Sequence, residues 1–281
     1  MEAIPDQEII LMPELPEVET TIRGIKPYII GRKISEVSVR NKNLRWPVSR
    51  KVYSLAGSKF IHIKRRGKYI LIELKDGTLL IHLGMSGSLR IVEYDHEFRK
   101  HDHIDIKMDS GKSLRYHDPR RFGCMLFHSG NINNHKLLKH LGPEPLDEEF
   151  CGEYLHLKSR GRNVTVKQFI MNAQTVVGVG NIYACEALFF SGINPKRSAS
   201  KISRERYNKL AENIKMVLQS SIKMGGTTLR DFVNEVGEPG YFKQSLMVYG
   251  REEEQCTKCD KAISRIVQTG RSTFYCSSCQ R

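Results

Sequence analysis

Four cysteines near the end of the chain constrain it most. "CTKC" at 256–259 and "CSSC" at 276–279 give the spacing C-x2-C-x16-C-x2-C. Two residues between cysteines let both thiolates of a tight turn face one tetrahedral ion. Sixteen more are enough for a hairpin that returns the second pair. The end of the chain, placed at 246–281, is therefore expected to fold around one Zn2+ held by Cys256, Cys259, Cys276 and Cys279. Four thiolates leave the ion no open position, so its expected role is structural. Cys124, Cys151 and Cys185 stand alone and read as small core residues. Between the pairs, "RSTFY" puts Arg271 on the hairpin, where a basic residue can meet a phosphate. Many such hairpins are purely structural, so the motif alone does not establish nucleic-acid binding.

Upstream, the pattern is strand-like. "KFIHIK", "YILIEL", "TLLIHL" and "SLRIVEY" are short apolar or alternating runs between 34 and 128, and "KDGT" and "DSGK" supply hairpin turns. A helix is expected first, over 16–27. Pro16 suits its first position, Val18, Ile22 and Ile25 form its stripe, and Gly24 and Pro27 suit its exit. "HSGNINN" and "LGPEPLDEEF" mark a boundary, and 150–235 reads as helical. The expected class is α+β: a β-sandwich preceded by a helix, then a helical domain, then the four-Cys hairpin. The expected units are a leader at 1–11 and domains at 12–145, 146–245 and 246–281.

The charge points to a partner. The 281 residues carry 45 Lys and Arg against 31 Asp and Glu, a formal net charge of +14. Residues 1–11 hold Glu2, Asp6 and Glu8 and no base, so the balance from Met12 onward is +17. A chain this basic favours a polyanion such as nucleic acid, although charge alone leaves membranes and acidic proteins open. The leader lacks the basic and apolar regions of a signal peptide and the arginines of a transit peptide. With no sign of secretion, a cytoplasmic location is expected, with the cysteines as thiols or metal ligands.

Seven stretches then occur in one order: "MPELPEVET", "RRGKYILIEL", "IHLGMSGSLR", "HDPRRFG", "VVGVGNIYACEAL", "GGTTLRDF" and the closing four-Cys unit. Together, over 12–281, they resemble the formamidopyrimidine-DNA glycosylase family of base-excision repair enzymes. The resemblance implies a bifunctional glycosylase and abasic-site lyase acting on oxidised purines in damaged double-stranded DNA. One active site on one bent duplex needs only a monomer. It implies Pro13 as an N-terminal nucleophile that forms a Schiff base, and Glu14 as a general acid/base. It gives Lys68 the part of proton donor in elimination. It places Arg271 in δ-elimination and phosphate binding, and Glu17 beside the flipped base. Met85, Arg120 and Phe122 would fill the gap left by that base. His82, His101, Arg162, Lys167 and Asn181 would hold the DNA backbone, with Asn181 in a helix–two-turn–helix element carrying Gly178 and Gly180. Arg162 stands at a family lysine, which keeps charge but changes donor geometry. The stretch from Gly225 to Gly240 would close over the everted base.

Without the resemblance, plainer readings compete: "PELPEVE" as an acidic helix start, Lys68 as a solvated turn lysine, Asn181 as a cap, Met85 and Phe122 as core. The leader raises a separate question, because Pro13 bonded to Met12 is a tertiary amide and no nucleophile. A misassigned start at Met12, a processed leader, and a damage binder without catalysis are the three readings, in that order. An endonuclease VIII-like preference for oxidised pyrimidines is the alternative within the enzyme class.

Overall fold

The structure is a computed structural model that describes residues 13–226 and 246–281. The expected leader and most of the expected closing loop, from 227 on, lie outside the described residues.

The chain opens with α1, Leu15–Ile29. Eight strands follow: β1 Ile34–Val39, β2 His62–Arg66, β3 Tyr69–Leu74, β4 Gly77–His82, β5 Ser88–Glu93, β6 Asp102–Met108, β7 Lys112–His117 and β8 Cys124–His128. They form two four-stranded antiparallel sheets, ordered β1-β6-β7-β5 and β2-β3-β4-β8. Side-chain alternation explains the layering. Ile70, Ile72 and Leu74 of β3, with Leu79 and Ile81 of β4, face Ile104, Ile106, Leu114 and Tyr116 of the other sheet in one core that includes the α1 stripe. Leu71 and Leu80 point the other way and form a smaller outer core with Cys124, Leu126, Ile132 and Leu138.

Helix α1 runs past its expected exit. Gly24 and Pro27 lie inside it, and it ends at Ile29. Burial explains this: Ile29 continues the stripe of Val18, Ile22 and Ile25 and is fully buried, which outweighs one hydrogen bond lost to Pro27 in the last turn. Strand β2 starts three residues later than "KFIHIK" suggests. Lys59 makes only an isolated bridge to Lys33, and Ile61 is exposed.

The second unit holds α2 Gly152–Ser159, α3 Val166–Met171, α4 Asn181–Ser191 and α5 Arg204–Lys223. Helix α5 packs on α4, α2 and α1, so it joins the two units. A β-hairpin closes the chain, β9 Ser264–Gln268 and β10 Arg271–Tyr275. Cys124 and Cys185 are core residues as expected, but Cys151 is exposed. It stands at the N-cap of α2, where its sulfur accepts the Tyr154 N–H, a polar task that explains its place at the surface.

Among the described residues, no helix is long and apolar enough to cross a membrane.

Candidate active site and nucleic-acid interface

The start of α1 meets the two turns between α3 and α4. Leu15 N–H donates to the Gly178 carbonyl at 3.2 Å. A side chain at Gly178, where φ is +80°, would meet Leu15 Cβ at 2.7 Å. At Gly180 it would meet the carboxyl carbon of Glu14 at 2.2 Å. The two glycines thus serve close approach, as expected, and what approaches is the segment that begins at Pro13.

The Glu14 carboxyl is 1% exposed. It accepts Gly180 N–H at 2.7 Å on Oε2 and Ile182 N–H at 3.0 Å on Oε1, at the N-terminus of α4. Desolvation by burial pushes its pKa from an ordinary 4.5 up to about 7, against the opposing charge of Lys68 and those two N–H donors. A buried carboxyl that titrates near neutrality suits proton transfer.

Glu17 is fully buried and structural in its visible contacts. Its carboxylate accepts Glu14 N–H at 2.9 Å and the Tyr183 hydroxyl at 2.7 Å, and that hydroxyl lies 2.6 Å from Ser221 Oγ on α5. Tyr183 and Ser221 carry no sequence signal for this role: Tyr183 sits in an apolar stretch and Ser221 in the mixed run "LQSSIK".

Lys68 stands at the tip of the β2–β3 hairpin, half-buried. Its charge acts on both Glu14 and His82. Gly67 beside it packs on Val177 of the helical unit, where a Cβ would come to 3.0 Å. Arg65 and Arg66 precede the turn on β2 and both grip Glu144, from the segment between β8 and α2; Arg66 Nη1 lies 2.9 Å from Oε1, and Gly67 N–H donates to the same oxygen at 2.7 Å. Arg65 also reaches Glu19 of α1 at 3.1 Å. "RRG" and "PEP" are far apart in sequence, so nothing local announced this clamp.

The expected DNA contacts separate into two groups. Arg120 and Phe122 are exposed on the loop after β7, with the guanidinium 4.9 Å from the ring centroid. Met85 is half-buried on the facing turn after β4. His101 is half-buried, edge-on to His103 and His117. His82 accepts Gly84 N–H on Nδ1 at 2.9 Å; burial, then Lys68 and Arg45, lower its pKa to about 4, so the ring is neutral with its proton on Nε2.

Lys167 is buried, unlike a simple surface phosphate contact. Its Nζ donates to Asn181 Oδ1 at 2.5 Å, Thr273 Oγ1 at 2.6 Å and the Ser272 carbonyl at 3.2 Å. Asn181 Nδ2 donates to the same Ser272 carbonyl at 2.9 Å. Together they dock β10 on the helical unit and set the place of Arg271, one residue before Ser272. The exposed Arg271 lines a cavity of about 450 Å³ with Lys158, Arg162 and Lys167.

The sulfur atoms of Cys256, Cys259, Cys276 and Cys279 all lie within 4.8 Å of one another. Two pairs are 3.9 and 3.4 Å apart. Bonds of about 2.3 Å to a tetrahedral ion require sulfur–sulfur edges of about 3.8 Å, so the cluster fits such an ion.

The sequence profile of the formamidopyrimidine-DNA glycosylase N-terminal domain matches residues 12–125, and that of the formamidopyrimidine-DNA glycosylase H2TH domain matches 141–233. The formamidopyrimidine-DNA glycosylase of Alcanivorax borkumensis is 56% identical over 270 residues, 96% of this chain and 100% of its own length. The chain belongs to the formamidopyrimidine-DNA glycosylase family. Two solved structures agree with the fold of this glycosylase. One is Lactococcus lactis Fpg in complex with DNA containing an abasic site, with a TM-score of 0.88, 32% identity, and coverage of 95% of this chain and 99% of that one. The other is MutM in complex with DNA containing carbocyclic 8-oxo-G, with a TM-score of 0.89, 33% identity, and coverage of 96% and 100%.

Proposed function

We propose that this protein is a base-excision repair glycosylase that removes oxidised purines, 8-oxoguanine and formamidopyrimidines, from double-stranded DNA and then cuts the strand as an abasic-site lyase. One observation carries the reading: the buried Glu14 carboxyl, next to Pro13 and poised near neutrality between two α4 N–H groups. The family's complexes with 8-oxo-G and abasic DNA support the substrate class.

In this reading the Pro13 nitrogen attacks C1′ of the damaged nucleoside. The glycosidic bond breaks, and the base leaves with its electron pair and takes a proton. As that bond breaks, Glu14 protonates the ring oxygen and the attacking nitrogen gives up its own proton, which opens the sugar and leaves an iminium between Pro13 and C1′. That cation acidifies C2′. Loss of a C2′ proton expels the 3′ phosphate, and Lys68 supplies a proton in this elimination. A second elimination releases the 5′ phosphate beside Arg271. Hydrolysis of the imine restores the amine. An α-amine has a reference pKa of about 8, so a useful neutral fraction exists near pH 7. Pro13 is nucleophilic only as the first residue, so the chemistry belongs to the form of the chain that starts there.

Met85, Arg120 and Phe122 would fill the space of the everted base, with Arg120 on the orphaned partner. His101, Arg162 and Arg271 would meet phosphates. His82, Lys167 and Asn181 would act from positions already engaged within the protein. The four thiolates would hold one Zn2+, which keeps the β9–β10 hairpin folded.

Excision assays on duplexes carrying either 8-oxoguanine or thymine glycol test this. Faster release of 8-oxoguanine is expected; a strong thymine-glycol preference would place the protein in the pyrimidine branch.

A further inference from the structure

Two loops carry the side chains assigned to the gap: the turn at 83–87, with Met85, and the loop at 118–123, with Arg120 and Phe122. One fully buried carboxylate joins them. Asp118 Oδ1 accepts the Ser86 hydroxyl at 3.1 Å, across from the first loop. Its Oδ2 accepts Gly123 N–H at 2.9 Å, at the far end of the second. The Tyr116 hydroxyl lies 3.2 Å from Oδ2 and 3.3 Å from the His82 carbonyl, at the root of the first loop. The Asp118 backbone is fixed as well. Its N–H donates to His101, and its carbonyl accepts Arg121 N–H at 3.2 Å and His103 Nε2 at 2.8 Å.

The loops also touch backbone to backbone. A Cβ at Gly84, where φ is +70°, would lie 2.5 Å from Gly123 N and 2.6 Å from the Phe122 carbonyl carbon. A Cβ at Gly123 would lie 1.9 Å from the Tyr116 hydroxyl. Between Arg120 and Phe122, Arg121 holds φ +56°, a left-handed conformation that persists in a non-glycine residue only where its surroundings fix it. The roots of both loops are therefore rigid and buried, while Arg120 and Phe122 at the tip are exposed.

We propose that Asp118 is a positioning residue that locks the two loops into one wedge, so that Met85, Arg120 and Phe122 enter the duplex together. The proposal rests on the assignment of those three residues to the gap. Asp118 itself meets no DNA, because it is fully buried. A single rigid wedge loses little side-chain and loop entropy on insertion, whereas three separately mobile side chains would each lose it.

The test is single-turnover kinetics of Asp118→Asn on two substrates: a duplex with 8-oxoguanine paired to cytosine, and the same duplex with a preformed abasic site. Gly123 N–H still requires an oxygen, so the amide nitrogen must turn to the Ser86 hydroxyl, which then has to accept, and the charge that strengthened all three hydrogen bonds is gone. That loss of charge-assisted strength translates to about tenfold slower excision of the paired lesion. The preformed abasic site, which has no base to evert, should be cut at close to the normal rate. Ser86→Ala keeps the charge and removes one donor, and it should show a smaller effect with the same substrate preference. It also covers the case in which Asp118→Asn fails to fold. Combined with Met85→Ala and Phe122→Ala, Asp118→Asn should add almost nothing, since the element it positions is already gone. Equal slowing on both substrates, or full additivity with the wedge variants, would overturn the proposal. If the Met85→Ala, Phe122→Ala double variant acts normally on both substrates, the wedge assignment itself falls and the proposal with it. A defective double variant beside a normal Asp118→Asn overturns the proposal alone.

Discussion

Glu14 and Gly180 lie 166 residues apart in sequence and in direct hydrogen-bond contact, with the Gly180 N–H 2.7 Å from the Glu14 carboxylate. The only side chain that fits at position 180 is a hydrogen atom, because a Cβ there would sit 2.2 Å from the carboxyl carbon. Gly180→Ala should displace Glu14, the group assigned to proton transfer. General acid catalysis is worth about 10²–10⁴-fold, and excision should fall within that range while the fold survives. Single-turnover excision and a melting curve on the same variant check this.

The pKa of Glu14 makes two pH predictions. Its folded value, about 7, lies above its ordinary 4.5, so between these values the folded protein holds a proton that the unfolded chain has lost. Stability contributed by this group is therefore full below pH 4.5 and declines as pH rises to about 7. Glu14→Gln should flatten that decline, read as a melting temperature that depends less on pH between 5 and 8 than the parent's does. In activity, the same proton is needed to open the sugar, so excision should fall above pH 7 through Glu14. Cleavage of a preformed abasic site, whose sugar already samples the open aldehyde, should depend on it less. A Glu14→Gln protein that is equally impaired on both substrates would contradict this.

Glu144 is predicted to act at a distance. It holds Arg65, Arg66 and the Gly67 N–H, and so fixes the hairpin that carries Lys68. The side chains of this clamp are mostly covered, so Glu144→Ala leaves Arg66 without its carboxylate and Arg65 with Glu19 alone, and should cost about 2 kcal/mol of stability. Strand cleavage should slow more than base release, because Lys68 is assigned to elimination. Denaturant unfolding and separate product assays measure the two effects.

Removal of the metal should disorder the β9–β10 hairpin and with it Arg271. The β10 strand of this hairpin carries the Ser272 carbonyl and Thr273 hydroxyl that meet Lys167 and Asn181. DNA affinity and the second elimination should be lost together on chelation and return on adding Zn2+. Circular dichroism alongside DNA binding follows both. Affinity that survives complete metal removal would make the hairpin a bystander.

Much of this was legible in the chain. The four cysteines, the alternating strands and the α1 stripe each follow from local spacing, which is the part of structure that sequence carries most directly. The resemblance added residues that no periodicity marks, such as Pro13 and Lys68. What stayed hidden were partners brought together only by tertiary folding. Glu144 looks like a linker acid, Tyr183 like core, and Asp118 like an ordinary turn residue. Lys167 shows the opposite case: a basic residue of a basic chain that is spent on docking the hairpin within the protein. Cys151 misled for a similar reason, since a cap position needs a polar atom more than burial.

The imine decides the central claim, and borohydride reads it, because reduction turns a protein–DNA Schiff base into a permanent bond. Protein beginning at Pro13 should give a covalent adduct with 8-oxoguanine duplex, mapped by mass spectrometry to Pro13, while protein that retains residues 1–12 should give none. An adduct formed equally well with the leader attached, or no adduct from protein beginning at Pro13, would contradict catalysis by that nitrogen.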